Sequence, residues 1–190
     1  PLRRRGPVGL SGLTRRRERN NRMIGQAILE MVRINGSDTG RVNHALKVHG
    51  LARCIAEAEN VTGEALAVVE LAAVLHDIAI RHCEEQYGSC AGPLQEREGP
   101  AIARPILERC GASPGVAVRV LHIIAHHHTY DNIDGVDYQI VVEADFLVNR
   151  DEGAFTGKAF QNVVRKYFRT GAGKELARLM FGMESADDQK

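Results

Sequence analysis

The 190-residue chain has no Trp, and Phe and Tyr together make up only 5% of it. Sandwiches and barrels draw on aromatic and β-branched residues, so this scarcity argues against an all-β domain. No apolar run approaches the roughly 18 residues of a membrane span, so no membrane role is expected. Six prolines exclude a collagen-like fibre. The four cysteines, Cys54, Cys83, Cys90 and Cys110, show no C-x-x-C spacing. A chain of this size folds without staples, so reduced thiols in a cytoplasmic protein are expected, with Cys54 as a small core residue. Apolar residues at 44% and charged residues at 26% are the composition of one soluble globular domain.

The net charge of +1 conceals an asymmetry. Residues 1–22 hold eight Arg and one Glu, whereas the remaining 168 residues carry 17 basic and 23 acidic side chains. Nucleic-acid binders spread cations over a folded face. Here the cations sit in a Gly/Pro/Arg-containing stretch and the body is acidic, so no nucleic-acid polymer is expected as a partner. Residues 1–22 are read as a disordered extension, and 23–185 as a single domain. The extension has no apolar stretch of the secretory kind.

Nearly every later segment repeats with a period of 3.6. Helices are expected over 23–34, 40–59, 63–80, 100–110, 114–127, 138–150, 155–168 and 173–182. The third is apolar almost all round and belongs at the centre of a bundle. Ser113-Pro114 is an N-cap and first-turn pair, Gly111 a C-terminal stop and Asp137 a cap. Gly88, Gly92 and Pro93 predict a long loop over 83–97, and 129–137 reads as a second. The expected architecture is an all-α bundle with these two loops beside its functional site.

The histidines are not scattered. His44 lies on the second helix, His76-Asp77 closes the third, and His126-His127-His128 ends the fifth. Asp145 stands in the apolar run Val141-Val142-Glu143-Ala144-Asp145-Phe146-Leu147. An unpaired buried carboxylate is costly, and a metal ion removes that cost. Imidazole and carboxylate without thiolate suit Fe, Mn, Zn, Co or Ni, and ligands from separate helices can meet in a bundle core. His49 is five residues from His44 and off its face. His122, four residues before His126, continues the helix face. Neighbours on a helix diverge by about 100°, so three consecutive histidines cannot point one way. His126 is expected to face the site, His127 next, and His128 to face solvent or cap the helix end. Lys47, one turn after His44, is either a phosphate contact or a solvated lysine, and Arg81 is a further phosphate candidate.

The ordered set Arg41-x-x-His44, Ala72-Ala73-x-Leu75-His76-Asp77-Ile78, Ile123-Ile124-x-His126-His127 and Glu143-Ala144-Asp145 resembles the HD superfamily of metal-dependent phosphohydrolases, over roughly residues 40–150. The resemblance implies an all-α fold, with His44, His76, Asp77 and Asp145 as ligands of one divalent transition metal. In two-metal members the Asp77 position bridges, and histidines at the 126–127 positions hold the second ion. Some members carry a glutamate where this chain has Ile80, so that acid-base group does not carry over. A further histidine expected near 95–98 is replaced by Gln95-Glu96-Arg97-Glu98. Both one and two ions therefore stay open, as does a role for Glu96 or Glu98.

The expected function is hydrolysis of a small-molecule phosphate ester, a nucleotide being one such substrate. Asp77 or a nearby carboxylate would take the proton from the attacking water. His126 would meet the developing charge or protonate the leaving oxygen. A di-iron oxygenase of the same fold, or a metal-binding sensor without turnover, are the alternatives.

Overall fold

Capping chemistry sets where several helices begin. Asp38 accepts from the Arg41 N–H at 3.1 Å, opening α2 (Thr39–Ala58). Ser113 does the same for α6 (Pro114–Ile124), Thr156 for α8 (Gly157–Tyr167) and Thr170 for α9 (Gly171–Phe181). The computed structural model describes residues 9–183, with backbone alone for 9–14 and 16. Its other helices are α1 (Gly9–Asn35), α3 (Gly63–Leu75), α4 (Ile80–Tyr87), α5 (Gly92–Arg109) and α7 (Val136–Asp151), with a single 3-10 turn at Tyr130–Asn132. All regular structure among the described residues is helical, and no helix there is long and apolar enough to cross a membrane.

The apolar helix α3 forms the hub. Every residue from Ala67 to Leu75 is buried, and α1, α2, α6 and α7 all pack on it. Helix α7 is buried from Tyr138 to Val148 and is the second hub, touching α2, α3, α8 and α9. The site described below lies where α2, the end of α3, the end of α6 and α7 meet.

Four expectations need correction. The first helix begins at Gly9 rather than at residue 23, while residues 1–8 and 184–190 lie outside the described part. The loop expected over 83–97 shrinks to residues 88–91. Gly88 ends α4 in the left-handed region at φ 64°, and α5 starts at once with Pro93 in its first turn. A proline costs no hydrogen bond there. Pro100 and Pro105 lie inside α5, whose Ala103, Ile106 and Leu107 are buried, so tertiary packing outweighs two lost backbone bonds. Cys54 is exposed on α2, while Cys83 and Cys110 are buried, and all four thiols are free. Asp137 does not cap α7. It lies in the first turn and receives the Arg119 guanidinium at 2.7 and 2.8 Å, which ties the 129–135 loop region to α6.

Candidate metal centre

His44 projects from the second turn of α2, and Asp145 from the buried middle of α7. His76 and Asp77 sit where α3 stops and a tight turn, closed by Ile78 N–H to Leu75 C=O and Ile80 N–H to Asp77 C=O, leads into α4. His127 and His128 sit in the corresponding turn after α6. Two helix ends and two helix interiors thus deliver six side chains to one place.

The six form two adjoining groups. His44, His76 and Asp145 offer ligand atoms within 4.8 Å of one another, and so do Asp77, His127 and His128. In the first, His44 Nε2 is 3.1 Å from Asp145 Oδ1, and His76 Nε2 is 3.5 Å from the same oxygen. Asp77 faces both groups. Its Oδ2 lies 3.5 Å from His44 Nε2 and 3.4 Å from His76 Nε2, and its Oδ1 lies 3.4 Å from His127 Nε2.

The ring orientations follow from hydrogen bonds on the far side of each imidazole. His76 Nδ1 lies 2.9 Å from the Ala73 carbonyl, and His127 Nδ1 lies 2.8 Å from the Ile124 carbonyl. A carbonyl only accepts, so Nδ1 carries a proton and Nε2 is the nitrogen turned inward, the one that can give a lone pair to a metal. His44 Nδ1 donates likewise to Glu152 Oε2 at 2.8 Å, and Lys47 holds the other Glu152 oxygen at 3.1 Å. Asn149 donates to Asp145 Oδ1 at 2.8 Å.

The Nε2 atoms of His76, His127 and His128 are buried and have no hydrogen-bond partner. Buried polar atoms without a partner are costly, and three imidazole nitrogens beside two carboxylates match the donor set that a divalent cation takes. The residues present therefore fit the metal that the sequence pattern implies.

Charge is distributed accordingly. Burial works against the charged forms of His44, His76, Asp77, Asp145 and His128. Neighbours reverse the balance in the first four: Asp145 and Glu152 hold His44 above its usual value, and Asp77 and Asp145 hold His76 well above its own. For Asp145, burial is outweighed by His44 and His76, which bring it down to about 2; for Asp77, by His76 and His127, which hold it well below the usual range. Burial, with His127 beside it, drives His128 down to about 4, so this ring is neutral near pH 7.

The surrounding residues divide clearly. His128 enters the centre, not solvent. Its ring packs on Gly92, where an added Cβ would come within 2.9 Å of the imidazole. His126 is exposed and turned away. Its Nδ1 bonds the His122 carbonyl at 2.7 Å and its ring lies against His122, so it meets neither ligand group. A helix turn sends consecutive side chains about 100° apart, and the register puts 127, not 126, inward. Glu96 does not face the ligands either. Its Oε1 accepts from His128 N–H at 3.0 Å and Thr129 Oγ1 at 2.9 Å, which fixes the turn. Glu98 is engaged at the surface by Arg97, Tyr87 and, at 3.7 Å, His82. Lys47 is exposed and paired with Asp151 and Glu152, and Arg81 is paired with Glu85 and the Ile34 carbonyl, so both cations are occupied. His49 bonds Glu70 at 3.2 Å, away from the centre.

Sequence reading missed Asn149 and Glu152. Both were in reach of a spacing argument, since they follow Asp145 by four and seven residues on one face of α7.

The family model of the HD domain matches residues 41–154, well over half of the chain. The chain belongs to the HD-domain family. The match spans His44, His76-Asp77, His127-His128 and Asp145, and stops just after Glu152. HD domains bind divalent metals, and this chain carries two candidate groups of His and Asp ligands. No curated protein and no solved structure matches the chain.

Proposed function

We propose that this HD domain is a metal-dependent phosphohydrolase that cleaves a phosphate ester of a small molecule, a nucleotide being one such substrate, by attack of water. The observation that carries the reading is the set of three buried, unpartnered imidazole nitrogens facing Asp77 and Asp145. A divalent cation held there supplies Lewis acidity, polarising a phosphoryl oxygen and making water a nucleophile near neutral pH. The chain's own residues hold and orient. His44, His76 and Asp145 form one ligand group, His127 and His128 the second, and Asp77 faces both. Glu152 and the Ala73 and Ile124 carbonyls keep the rings turned inward.

Asp77 is better suited to hold positive charge than to take a proton, because a carboxylate well below its usual range is a weak base. His126 and Lys47, the other two catalytic candidates, would each have to leave its present partners to reach the substrate.

The test is elemental analysis of protein purified without added metal, followed by phosphate release from a panel of phosphomonoesters before and after metal removal. One or two transition-metal equivalents, and turnover that vanishes with the metal and returns with it, are expected. Metal without turnover would sink the hydrolytic reading and favour a sensor. The presence of a second ligand group keeps one rival in play. Two irons per chain, with oxygen uptake on adding a substrate and no phosphate release, would identify an oxygenase of this fold.

A further inference from the structure

A cavity of about 330 Å³ opens beside His44 and Asp77. That is at the small end of the roughly 300–1,000 Å³ seen for small-molecule sites. Five aliphatic side chains wall it: Met31 from α1, Ala45 from α2, Val74 from α3, and Ile78 and Ile80 at the entry to α4. Among the described residues that line it there is no Phe, Tyr or Trp.

Its charges are already matched. Arg41 lies in the lining, but its guanidinium is held by both carboxylate oxygens of Glu84, at 2.8 and 2.7 Å, and by Asp38 at 3.3 Å. Glu152 is held by His44 and Lys47. A second anionic group on a ligand would therefore meet the carboxylates of Asp77 and Glu152 and no unpaired cation in the lining. One neutral polar function is on offer. Asn35 is buried, its amide N–H donates to the Met31 carbonyl at 3.2 Å, and its amide oxygen makes no hydrogen bond to the described residues. That oxygen can accept from a ligand hydroxyl or amine.

We propose that this cavity receives the organic part of a phosphate monoester, a small, uncharged and largely aliphatic group, while the phosphate lies toward His44 and Asp77. The assignment rests on the phosphohydrolase reading above and narrows it. Monoesters of neutral alcohols are favoured, and diphosphates, triphosphates and carboxylate-bearing esters are disfavoured, because desolvating a second anion here brings no compensating cation.

The experiment is calorimetric titration of the metal-loaded full chain with butylphosphonate and 4-phosphonobutanoate, probes that differ by a terminal carboxylate. Neither has an ester bond, so binding is read apart from turnover, and phosphate release from butyl phosphate is assayed separately. Butylphosphonate is expected to bind about tenfold or more tighter than its carboxylated counterpart. Ile80 is half-buried in the wall and outside the ligand groups. Ile80→Lys, with metal content retained, is expected to abolish or reverse the preference. Ile80→Trp is expected to weaken butylphosphonate while leaving inorganic phosphate unchanged. Equal affinity for the two probes, no binding of butylphosphonate, or indifference to both Ile80 variants overturns the cavity assignment. Equal probe affinities with butyl phosphate still cleaved would overturn the cavity alone. Selective binding without phosphate release would support the cavity and overturn the hydrolytic reading.

Discussion

Helix α7 buries two acids two residues apart, Glu143 at 0% exposure and Asp145 at 8%, and only one of them belongs to the candidate metal centre. Two positions along a helix turn a side chain by about 200°, so the pair faces opposite ways. Glu143 meets donors alone: the Gln139 amide at 2.7 Å, the N–H groups of Arg169 and Thr170 at 2.6 and 3.0 Å, and the Thr170 hydroxyl. It ties the link between α8 and α9 to the body, and Gly173 leaves room for it where an added Cβ would collide with its carboxylate. Asp145 meets imidazoles, which can carry a proton or give a lone pair to a metal. Burial of an acid therefore does not mark a ligand. What marks one is convergence with nitrogen atoms that have no other partner.

The contrast is broken most severely at Asp145. Asp145→Ala is expected to remove at least one metal equivalent per chain and to lower phosphate release by more than about 100-fold, beyond the usual effect of an outer partner. Elemental analysis and a phosphate assay check it. Glu143→Ala should do the reverse. It strands two backbone N–H groups and an amide, so stability falls by about 3 kcal/mol in urea unfolding while metal stoichiometry holds. Next comes Glu152→Gln, which keeps the shape but weakens the carboxylate behind His44. Metal affinity should drop by about 10-fold to 100-fold, measured by competition with a chelator.

The proton balance sharpens the same contrast. His44 and His76 stand above 6.5 in the folded metal-free chain. Their stabilisation is complete below pH 6.5 and is lost as the pH rises through the raised values. Asp77 and Asp145 are lowered from 3.8, so their stabilisation is present above that pH and is lost as pH falls toward the value of about 2 for Asp145. The Tm of the metal-free protein should therefore fall as pH climbs above 6.5. A metal must displace the imidazole protons, so its affinity should rise over that same range, with proton release on loading. Thermal melts at several pH values, with and without metal, would reveal the opposite slopes. The smallest effect is expected at His126. His126→Ala should change stability by no more than about 0.5 kcal/mol and leave metal content intact, whereas His128→Ala should weaken the second ligand group.

The helical fold was legible because α2 and α6 repeat apolar residues at helical spacing, α3 and α7 carry long apolar runs, and Ser113-Pro114 marks a helix start. The long loop was misread because Gly88, Gly92 and Pro93 are ambiguous locally: one glycine ends a helix, and the Gly-Pro pair begins the next. His44, His76, Asp77 and Asp145 could be picked out by type and spacing. The order among His126, His127 and His128 could not, since it depends on where α6 stops.

Residue pattern alone determined an all-α domain of the HD type and picked out most of the candidate ligand side chains, because periodicity and motif spacing are local properties of the chain. The tertiary structure alone decided which histidines turn inward, that Asp77 lies between two ligand groups, that Glu143 is a structural anchor, and that an aliphatic cavity adjoins the centre. Those are matters of register and of partners more than a hundred residues apart, such as His44 with Asp145 and Glu152. Only packing α7 against α2 and α3 brings them within hydrogen-bond reach.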